Sequence, residues 1–410
     1  MELIRGQVYR LKPTAQQIAD LEGTAGVTRL VYNLMLEQRR TWGQRHKLGR
    51  STQSAEIKTL RAEFDFIAAR AQTTQKHALN DLERAFQNFF ARRAAYPRPR
   101  RKYVDDSFRH DGREVKIRRI SRRWSEVFIP KIGWIRMRDS YGGKIAGLEK
   151  SIRTATLRRD ASGWAVSFAV TLEIAECATP LGQIGIDRGV AAPIATSTGD
   201  IYRLPAGVAH TDAAIRRAQK AMSRRKRGSR RYAKARSRFA RLNARQVRRR
   251  QHMLHAVSRS IANNNGLVAI EALNISGMTR SAKGSAEEPG RNVRAKSGLN
   301  RAILASGWGS FATMLGYKLE ERGGILISVD PKNTSRQCAE CGHTAPENRE
   351  SQATFRCNVC DHQAHADINA ARNILARGIN LKRRGNTPLL DAEGKALAPC
   401  EASTILSVAA

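Results

Sequence analysis

Three acidic residues, Asp187, Glu271 and Asp367, stand where carboxylates commonly gather around metal ions. Asp187 ends the apolar run 184–186, Glu271 ends the apolar run 267–270, and Asp367 lies near the start of a predicted helix. Sites in α/β sheets form at the carboxyl ends of strands, and Mg²⁺ prefers carboxylate oxygens. Three converging carboxylates could hold two Mg²⁺ ions, which activate water and stabilise the leaving oxygen in phosphodiester cleavage. Singly, each acid could simply cap a turn or helix, and only the combination in one basic chain favours a metal site.

Two close pairs of cysteines, each of the form Cys-x-x-Cys, are separated by 15 residues. Each pair aims two thiolates at one point, and two pairs complete a tetrahedral Zn²⁺ site. The alternatives are thiol redox chemistry or two disulfides, and the spacing favours neither. Because four thiolates leave no coordination position for water or substrate, the predicted zinc is structural. The predicted ligands are Cys338, Cys341, Cys357 and Cys360, whereas Cys177 and Cys400 stand alone.

The charge balance points to a polyanionic partner. The 410 residues include 73 lysines and arginines against 36 aspartates and glutamates, a formal net charge of +37. Such a charge repels itself in a folded chain, and nucleic acid is the partner that fits best. Hydrophobic residues make up 41% of the sequence, enough for buried cores in two or three folding units. No apolar run approaches the ~20 residues that span a bilayer, and no cleavable leader is visible, so we expect a cytoplasmic protein.

An arginine-rich helix is predicted from Arg216 to Arg250, with basic residues around nearly its whole circumference. A charge run is often only a solvated helix face. Here arginine dominates, and its planar fork matches phosphate geometry, so we expect contact with a nucleic-acid backbone. The predicted contacts are Arg224, Arg225, Lys226, Arg227, Arg230 and Arg231. Weaker candidates, for reading a DNA duplex, are Gln72, Gln75, Lys76 and Asn80 on an earlier helix.

The hydrophobic period changes along the chain and predicts three kinds of segment. Helical spacing covers about 14–36, 64–93, 213–262 and 300–322. Alternating runs that predict strands of a small β-barrel lie at 6–11, 113–117, 124–130, 133–138 and 150–173. After Pro180, short apolar strands separated by helices indicate an α/β sheet. Residues 277–299 are predicted to form a mobile loop, and the tail after residue 380 lacks a period.

Four segments in series resemble the TnpB family of insertion-sequence transposons, which is similar in turn to the type V CRISPR effector nucleases. They are IGIDRGV, LVAIEALNISGM, NTSRQCAECGH and FRCNVCDHQAHADINAARNI. The segments RGQVYRLKPTAQQ and LNDLERAFQNFF, in the first hundred residues, also resemble it. The resemblance therefore covers most of the chain, except for the 277–299 loop and the tail.

That resemblance implies a multi-domain α+β protein in which Asp187, Glu271 and Asp367 are catalytic and bind two Mg²⁺ ions. It implies a RuvC-like, RNase H-type α/β nuclease domain with an inserted zinc ribbon that holds one Zn²⁺. It also implies a wedge β-barrel interrupted by a helical recognition unit. The expected boundaries are 1–12 and 106–178 for the barrel, 13–105 for the helical unit, 179–335 and 363–380 for the nuclease domain, 336–362 for the ribbon, and 381–410 for the tail.

The resemblance further implies the partners and the reaction. The family binds a guide RNA made from the transposon end, recognises a short motif beside its target in double-stranded DNA, and cuts both strands. We expect a monomer with one RNA, in a prokaryotic cytoplasm and associated with the nucleoid when on DNA. Three alternatives stay open: an RNA-guided repressor that binds without cutting, a zinc-ribbon DNA-binding or transposase-accessory protein without a guide, and a transposase that joins strands.

Overall fold

The computed structural model describes residues 2–43, 48–139, 144–173, 181–285 and 287–383. The chain divides into two units, Met1–Ile174 and Ala175–Ala410. Cys177, Cys400 and the tail beyond residue 383 lie outside the described residues. Within the described ranges, no helix is long and apolar enough to cross a membrane.

The first unit begins with a strand, continues with helices and ends with the remaining strands. Its elements are β1 (Glu2–Lys12), α1 (Ala15–Trp42), α2 (Arg50–Glu63), α3 (Asp65–Ala68), α4 (Gln72–Phe90), β2 (Ser107–Asp111), β3 (Lys116–Ser121), β4 (Trp124–Ile129), β5 (Gly133–Arg138), α5 (Lys144–Gly147), β6 (Ile152–Asp160) and β7 (Gly163–Glu173). A capping box at Thr14 and Gln17 starts α1, because each side chain accepts a hydrogen bond from the other residue's backbone N–H.

A seven-stranded antiparallel sheet organises this unit in the order β2-β6-β7-β1-β5-β4-β3. The first strand joins its two halves, because β1 pairs with β7 along Glu2–Arg10 and with β5 along Arg10–Lys12. Alternate side chains of β4 and β5 are fully buried in one core: Val127, Ile129, Ile135 and Met137. Among the described pairings β2 and β3 are the sheet edges, so closure into a barrel stays a prediction.

The sequence missed one strand of this sheet and misplaced another. The predicted strand 113–117 is a 3₁₀ turn at Gly112–Glu114 followed by β3, and β2 was not predicted. Gly112 explains the break. A Cβ there would lie 1.7 Å from the carbonyl oxygen of Ile152, so only glycine permits this approach to β6.

The second unit is an α/β arrangement. Its elements are β8 (Gly182–Asp187), β9 (Ile194–Thr196), β10 (Ile201–Tyr202), α6 (Ala206–Ser223), α7 (Arg230–Asn264), β11 (Asn265–Glu271), α8 (Ile275–Met278), α9 (Val293–Ser306), α10 (Trp308–Glu320), β12 (Ile325–Val329), β13 (Thr354–Arg356), β14 (Gln363–His365) and α11 (Ala366–Arg383). Its main sheet has the order β10-β9-β8-β11-β12. Strands β8, β11 and β12 are parallel, whereas β9 and β10 continue the sheet as antiparallel strands.

Several predicted boundaries in this unit were wrong. The helix expected from Arg216 to Arg250 is two helices, α6 and α7, separated by a turn in which Gly228 has a φ of +86°. Gly307, at +77°, likewise divides the 300–322 segment into α9 and α10. Helix α9 already begins at Val293, inside the predicted loop, and α11 continues through Arg383 into the predicted tail.

The last helix packs very closely on the parallel strands. A Cβ at Gly185 of β8 would lie 2.0 Å from the carbonyl oxygen of Ala371 in α11. A Cβ at Gly378 of α11 would lie 2.6 Å from the Cβ of Ala269 in β11. The absence of two side chains therefore sets how near α11 comes to the strands that end in Asp187 and Glu271.

Candidate functional site

The three predicted acids come together at one edge of the main sheet. Asp187 is the last residue of β8, and Glu271 is the last residue of β11. These strands are parallel neighbours in which Ile186 pairs with Ile270, one residue before each acid. Asp367 is the second residue of α11, the helix packed on both strands. Parallel strands place their carboxyl ends at the same edge, so the α/β pattern explains the meeting of residues far apart in sequence.

The three carboxylates interact electrostatically in a partly buried setting. Burial raises the pKa of Asp187 from 3.8 to about 7, and the negative charges of Glu271 and Asp367 add to that rise. Burial also raises the pKa of Glu271, although a hydrogen bond from Thr334 opposes the shift. Ionised acids that repel one another in this way gain stability from a divalent cation between them.

Three further side chains hold the trio, and the sequence analysis assigned none of them. Thr334 donates its hydroxyl to Oε1 of Glu271 at 2.6 Å. The guanidinium of Arg188, buried beside the trio, donates to the backbone carbonyl of Glu271, and burial lowers the pKa of Arg188 to about 10. Arg349 forms an ion pair with Asp367 at 3.3 Å. Arg188 and Thr334 lie inside motifs recognised from the sequence, whereas nothing in the sequence singled out Arg349.

The three carboxylates are spaced too widely for one Mg²⁺ to bind all of them. Within the described ranges, the only group of three or more metal-binding side chains whose ligand atoms all lie within 4.8 Å is the cysteine cluster. Oxygens that share one Mg²⁺ at ~2.1 Å lie at most about 4.2 Å apart. When two ions lie about 4 Å apart, oxygens bound to different ions can be up to about 8 Å from each other.

The four predicted cysteines form a single cluster with the geometry of a tetrahedral site. The Sγ atoms of Cys338 and Cys360 are 3.7 Å apart, and those of Cys341 and Cys357 are 3.6 Å apart. Four sulfurs at ~2.3 Å from one Zn²⁺ would be about 3.8 Å apart, so the cluster can take zinc with little movement. Both knuckles use the same turn, with positive φ at Gly342 and at the corresponding position in the second pair.

Two asparagines of α11 tie the cysteine ribbon to the acidic site. Asn369 donates to the carbonyl of Gln337 at 2.7 Å and accepts from the N–H of Ala339 at 3.0 Å. Asn373 donates to the carbonyls of Thr334 at 2.9 Å and Gln337 at 2.7 Å. The ribbon's first knuckle is therefore fixed to the helix that carries Asp367.

The predicted arginine cluster is exposed at the tip of a helical hairpin. Helices α6 and α7 pack together, and the guanidinium of Arg249 donates to the carbonyl of Gly207 at 2.6 Å and to Thr211 at 2.9 Å. Six exposed cations occupy the connecting turn and the start of α7: Arg224, Arg225, Lys226, Arg227, Arg230 and Arg231. The break in the predicted helix thus concentrates these charges at one end of the hairpin.

Gln75, a predicted contact with a DNA duplex, has no exposed surface in this structure. Its side chain is fully buried and donates to the carbonyl of Ile67 at 2.9 Å, inside the helical core. Lys76, one residue later on the same helix, is exposed. A cavity of about 260 Å³ lies beside it and is lined by Ser54, Ile57, Gln72, Thr73, Lys76, Asp111 and Arg113.

The raised pKa of Asp187 gives a pH-dependent stability without divalent metal. The folded state binds this proton more tightly than the unfolded state, so the free energy of unfolding falls as pH rises from about 4 to about 7. Asp187→Asn should make that free energy less dependent on pH in this window. Urea unfolding of both proteins in EDTA at pH 5 and pH 8 measures the difference. An equal fall in both proteins would contradict the prediction.

Comparison with known proteins gives matches along most of the chain. Models described as a helix-turn-helix domain, a probable transposase and a Cas12f1-like TNB domain match residues 1–47, 167–282 and 308–374. The chain is 35% identical to InsQ of Escherichia coli (strain K12), over 92% of this chain and 93% of InsQ. It is 30% identical to a Streptomyces pristinaespiralis protein, over 90% of this chain and 88% of that protein. Both relatives carry the name "Putative RNA-guided DNA endonuclease".

A solved structure shares the fold. The chain resembles a protein in the cryo-EM structure of a Cas12f1–sgRNA–target DNA complex, with a TM-score of 0.54 and 14% identity. The match covers 88% of this chain and 83% of that one.

Proposed function

From the premise that this chain belongs to the TnpB family, we propose that it is an RNA-guided endonuclease that cleaves double-stranded DNA beside a short adjacent motif. The observation that carries the proposal is the convergence of Asp187, Glu271 and Asp367 at one sheet edge. A repressor that binds without cutting would have no need of three mutually repelling acids in a partly buried site.

The trio fits two Mg²⁺ ions, because its donors are carboxylates alone, and burial together with their mutual repulsion raises the pKa of Asp187. Bound there, the ions would supply an activated water and stabilise the leaving oxygen of the phosphodiester. Thr334 holds one oxygen of Glu271, which leaves the other free to bind a cation. Arg349 holds Asp367 and places a positive charge where a phosphate must approach.

The proposed architecture follows the sequence boundaries. The RuvC-like, RNase H-type nuclease domain would comprise 179–335 and 363–380, extended to residue 383 by α11. The zinc ribbon would lie at 336–362, and one structural Zn²⁺ would occupy the four-cysteine cluster. The mixed five-stranded sheet of the second unit, with acids at the ends of two parallel strands, supports the nuclease assignment. The wedge barrel would comprise residues 1–12 and 106–178, and the helical unit 13–105 would be inserted between these two segments of the sequence.

In the proposed function, the guide RNA and the protein would each recognise a different part of the target DNA. Base pairing with a transposon-derived guide RNA selects the target, and the protein reads backbone geometry and the adjacent motif. The exposed cations at 224–231 would hold a nucleic-acid backbone. The exposed Lys76 and its cavity are the proposed place for reading the adjacent motif. The protein would act as a monomer with one RNA in the cytoplasm, on nucleoid DNA.

Neutralising the hairpin tip should weaken RNA binding in a salt-dependent way. Changing Arg224, Arg225, Arg230 and Arg231 to glutamine removes four exposed charges, and we expect the slope of log affinity against log salt to fall by about 3. Fluorescence anisotropy of labelled guide RNA at 50–300 mM salt measures the slope. A slope equal to that of the parent protein would remove this tip from the RNA interface.

The direct test of function begins with the nucleic acid that copurifies with the protein. Sequencing should give one discrete RNA from the transposon end, and random fragments would favour a guide-independent binder. The purified complex is then incubated with matched duplex DNA and Mg²⁺, with EDTA and mismatched DNA as controls. Cleavage of both strands supports the proposal. Bound but intact DNA would favour the repressor, and joined strands would favour a transposase.

A further inference from the structure

A short loop between β12 and the first cysteine pair, residues 330–337, is bound along its length by one side of α11. We call it the Thr334 loop. Asn373 donates to the carbonyl of Thr334 at 2.9 Å and to that of Gln337 at 2.7 Å. About one helical turn later, the guanidinium of Arg377 donates to two backbone carbonyls near the start of the loop, at 3.0 Å and 2.7 Å. Two side chains of one helix therefore fix the backbone on both sides of Thr334.

The side chain of Thr334 reaches from this loop to the acidic site. It is only 2% exposed, and its Oγ1 lies 2.6 Å from Oε1 of Glu271 and 3.0 Å from the carbonyl oxygen of Pro331. A hydroxyl has one hydrogen to donate, and hydrogen bonds to a charged acceptor are the stronger ones. The hydrogen therefore goes to the carboxylate of Glu271 when that acid is ionised.

The backbone of Glu271 is held from the other side. Glu271 pairs with Val329 at the end of β12, and the N–H of Ala272 donates to the carbonyl of Val329 at 2.8 Å. The guanidinium of Arg188 binds the carbonyl of Glu271 itself. Because the backbone is fixed at these points, the hydrogen bond from Thr334 acts on the direction of the carboxylate and not on the position of the strand.

The direction of a carboxylate matters differently to the two common hard cations. Mg²⁺ demands a near-ideal octahedron at about 2.0–2.1 Å, whereas Ca²⁺ accepts irregular shells at about 2.3–2.6 Å and often takes both oxygens of one carboxylate. A hydroxyl bound to Oε1 of Glu271 competes with a cation for that oxygen and opposes rotation of the carboxylate. One oxygen offered in one direction suits Mg²⁺, and a freely turning carboxylate suits Ca²⁺.

We propose that Thr334 is a positioning residue that makes Glu271 present a single oxygen to a divalent cation, so that the acidic site selects Mg²⁺ over Ca²⁺. The inference rests on the proposed function, because it takes the trio as the cation site. Helix α11 then positions two of the three acids, since it carries Asp367 and holds the Thr334 loop that orients Glu271. Hydrogen-bond partners of metal-binding side chains are typically worth about 10–100-fold in metal affinity.

Cation binding by the full chain tests the inference without any cleavage. Mn²⁺, which suits the same octahedral oxygen sites as Mg²⁺, is titrated into protein freed of nucleic acid by high salt, and the free ion is counted by electron paramagnetic resonance. Ca²⁺ is then added to displace the bound Mn²⁺, and Asp187→Ala defines the binding outside the trio. For Thr334→Val, we expect about tenfold weaker Mn²⁺ binding with Ca²⁺ affinity within about twofold of the parent. Thr334→Ser keeps the hydroxyl and should keep the parental ratio of the two affinities.

A second variant acts through the loop and leaves Thr334 in place. Arg377→Gln removes the bonds from α11 to the start of the Thr334 loop, and the ratio of Mn²⁺ to Ca²⁺ affinity should fall in the same direction. The ratio is the readout because loss of a nearby cation changes the affinity for both ions alike. Arg372→Gln is the matched control: Arg372 is an exposed arginine of the same helix that pairs with Glu340, and its removal should leave the ratio unchanged.

Two results with Thr334→Val would overturn the inference. One is a parental ratio, and the other is equal weakening for both ions, because a purely structural hydroxyl affects every cation alike. If Thr334→Val loses its zinc or its native thermal melt, Arg377→Gln decides, and a parental ratio there overturns the inference. Failure of the nuclease proposal would appear separately, as a parent protein that binds Mn²⁺ at the trio and leaves matched DNA intact. A parent protein without Mn²⁺ binding at the trio would overturn both.

Discussion

Asp187→Ala is expected to lower the rate of duplex cleavage by a factor on the order of 10³ or more, while guided DNA binding stays within about twofold. The loss corresponds to about 4 kcal/mol of transition-state stabilisation, a reasonable cost for removing one ligand of a two-ion site. Binding should survive because the side chain lies at a strand end and, in this proposal, base pairing supplies target recognition. Single-turnover cleavage and gel-shift titration measure the two quantities.

An exposed acid elsewhere in the same unit provides the control for that experiment. Glu320 is an exposed residue at the end of α10, in the same unit, and Glu320→Ala should cut normally. Asp187→Asn keeps the shape of the side chain and should be as inactive as the alanine variant, because a neutral amide does not replace an anionic ligand. Cutting by either Asp187 variant at the parental rate would show that the trio is not the catalytic site.

Cys357→Ser is expected to abolish zinc binding and to disturb the acidic site at a distance. The cluster needs four thiolates, and loss of one ligand leaves an open, weaker site. The ribbon is joined to α11 through Asn369 and Asn373, so its loosening should reach Asp367. The zinc content measured by elemental analysis should fall from one ion per chain to near none, and the melting temperature should fall by roughly 5–10 °C.

The matched substitution for this prediction is Cys177→Ser, which also removes a thiol but belongs to neither pair. Its zinc content and melting temperature should equal those of the parent chain. A full zinc complement in the Cys357 variant would show that the ion is held elsewhere. Normal melting after measured zinc loss would show that the ribbon folds without metal.

The sequence was sufficient for the acids and the cysteines because their positions follow from local rules. An apolar run that ends in an acid predicts a carboxylate at a strand's carboxyl end, and parallel strands then bring Asp187 and Glu271 to one edge. Two Cys-x-x-Cys knuckles likewise predict a tetrahedral cluster without knowledge of the fold. Asp367 had a weaker local signal, its place near the start of a predicted helix, and the family resemblance added its catalytic role. Its meeting with the other two acids depends on the tertiary packing of α11 on the strands.

What the sequence could not predict depended on tertiary packing or on single glycines. The burial of Gln75 could not be predicted from its residue type, because it depends on tertiary packing that places the side-chain amide against the carbonyl of Ile67. Arg349 pairs with Asp367 from a loop 18 residues away, a contact that no local pattern contains. The break between α6 and α7 depended on one positive φ, at Gly228, within an otherwise helical run of charge.

Because Gly185 has no side chain, a substitution at this position would change the distance between the acids although none of the acids is itself replaced. A methyl group there would collide with the carbonyl of Ala371 and push α11 outward, and the helix would carry Asp367 away from its two partners. If the trio binds two ions as proposed, we expect a relative with alanine at position 185 to keep all three acids in its sequence and to hold them too far apart to bind both ions. When nuclease activity is predicted for relatives from the three acidic residues, a glycine at position 185 should therefore be required as well.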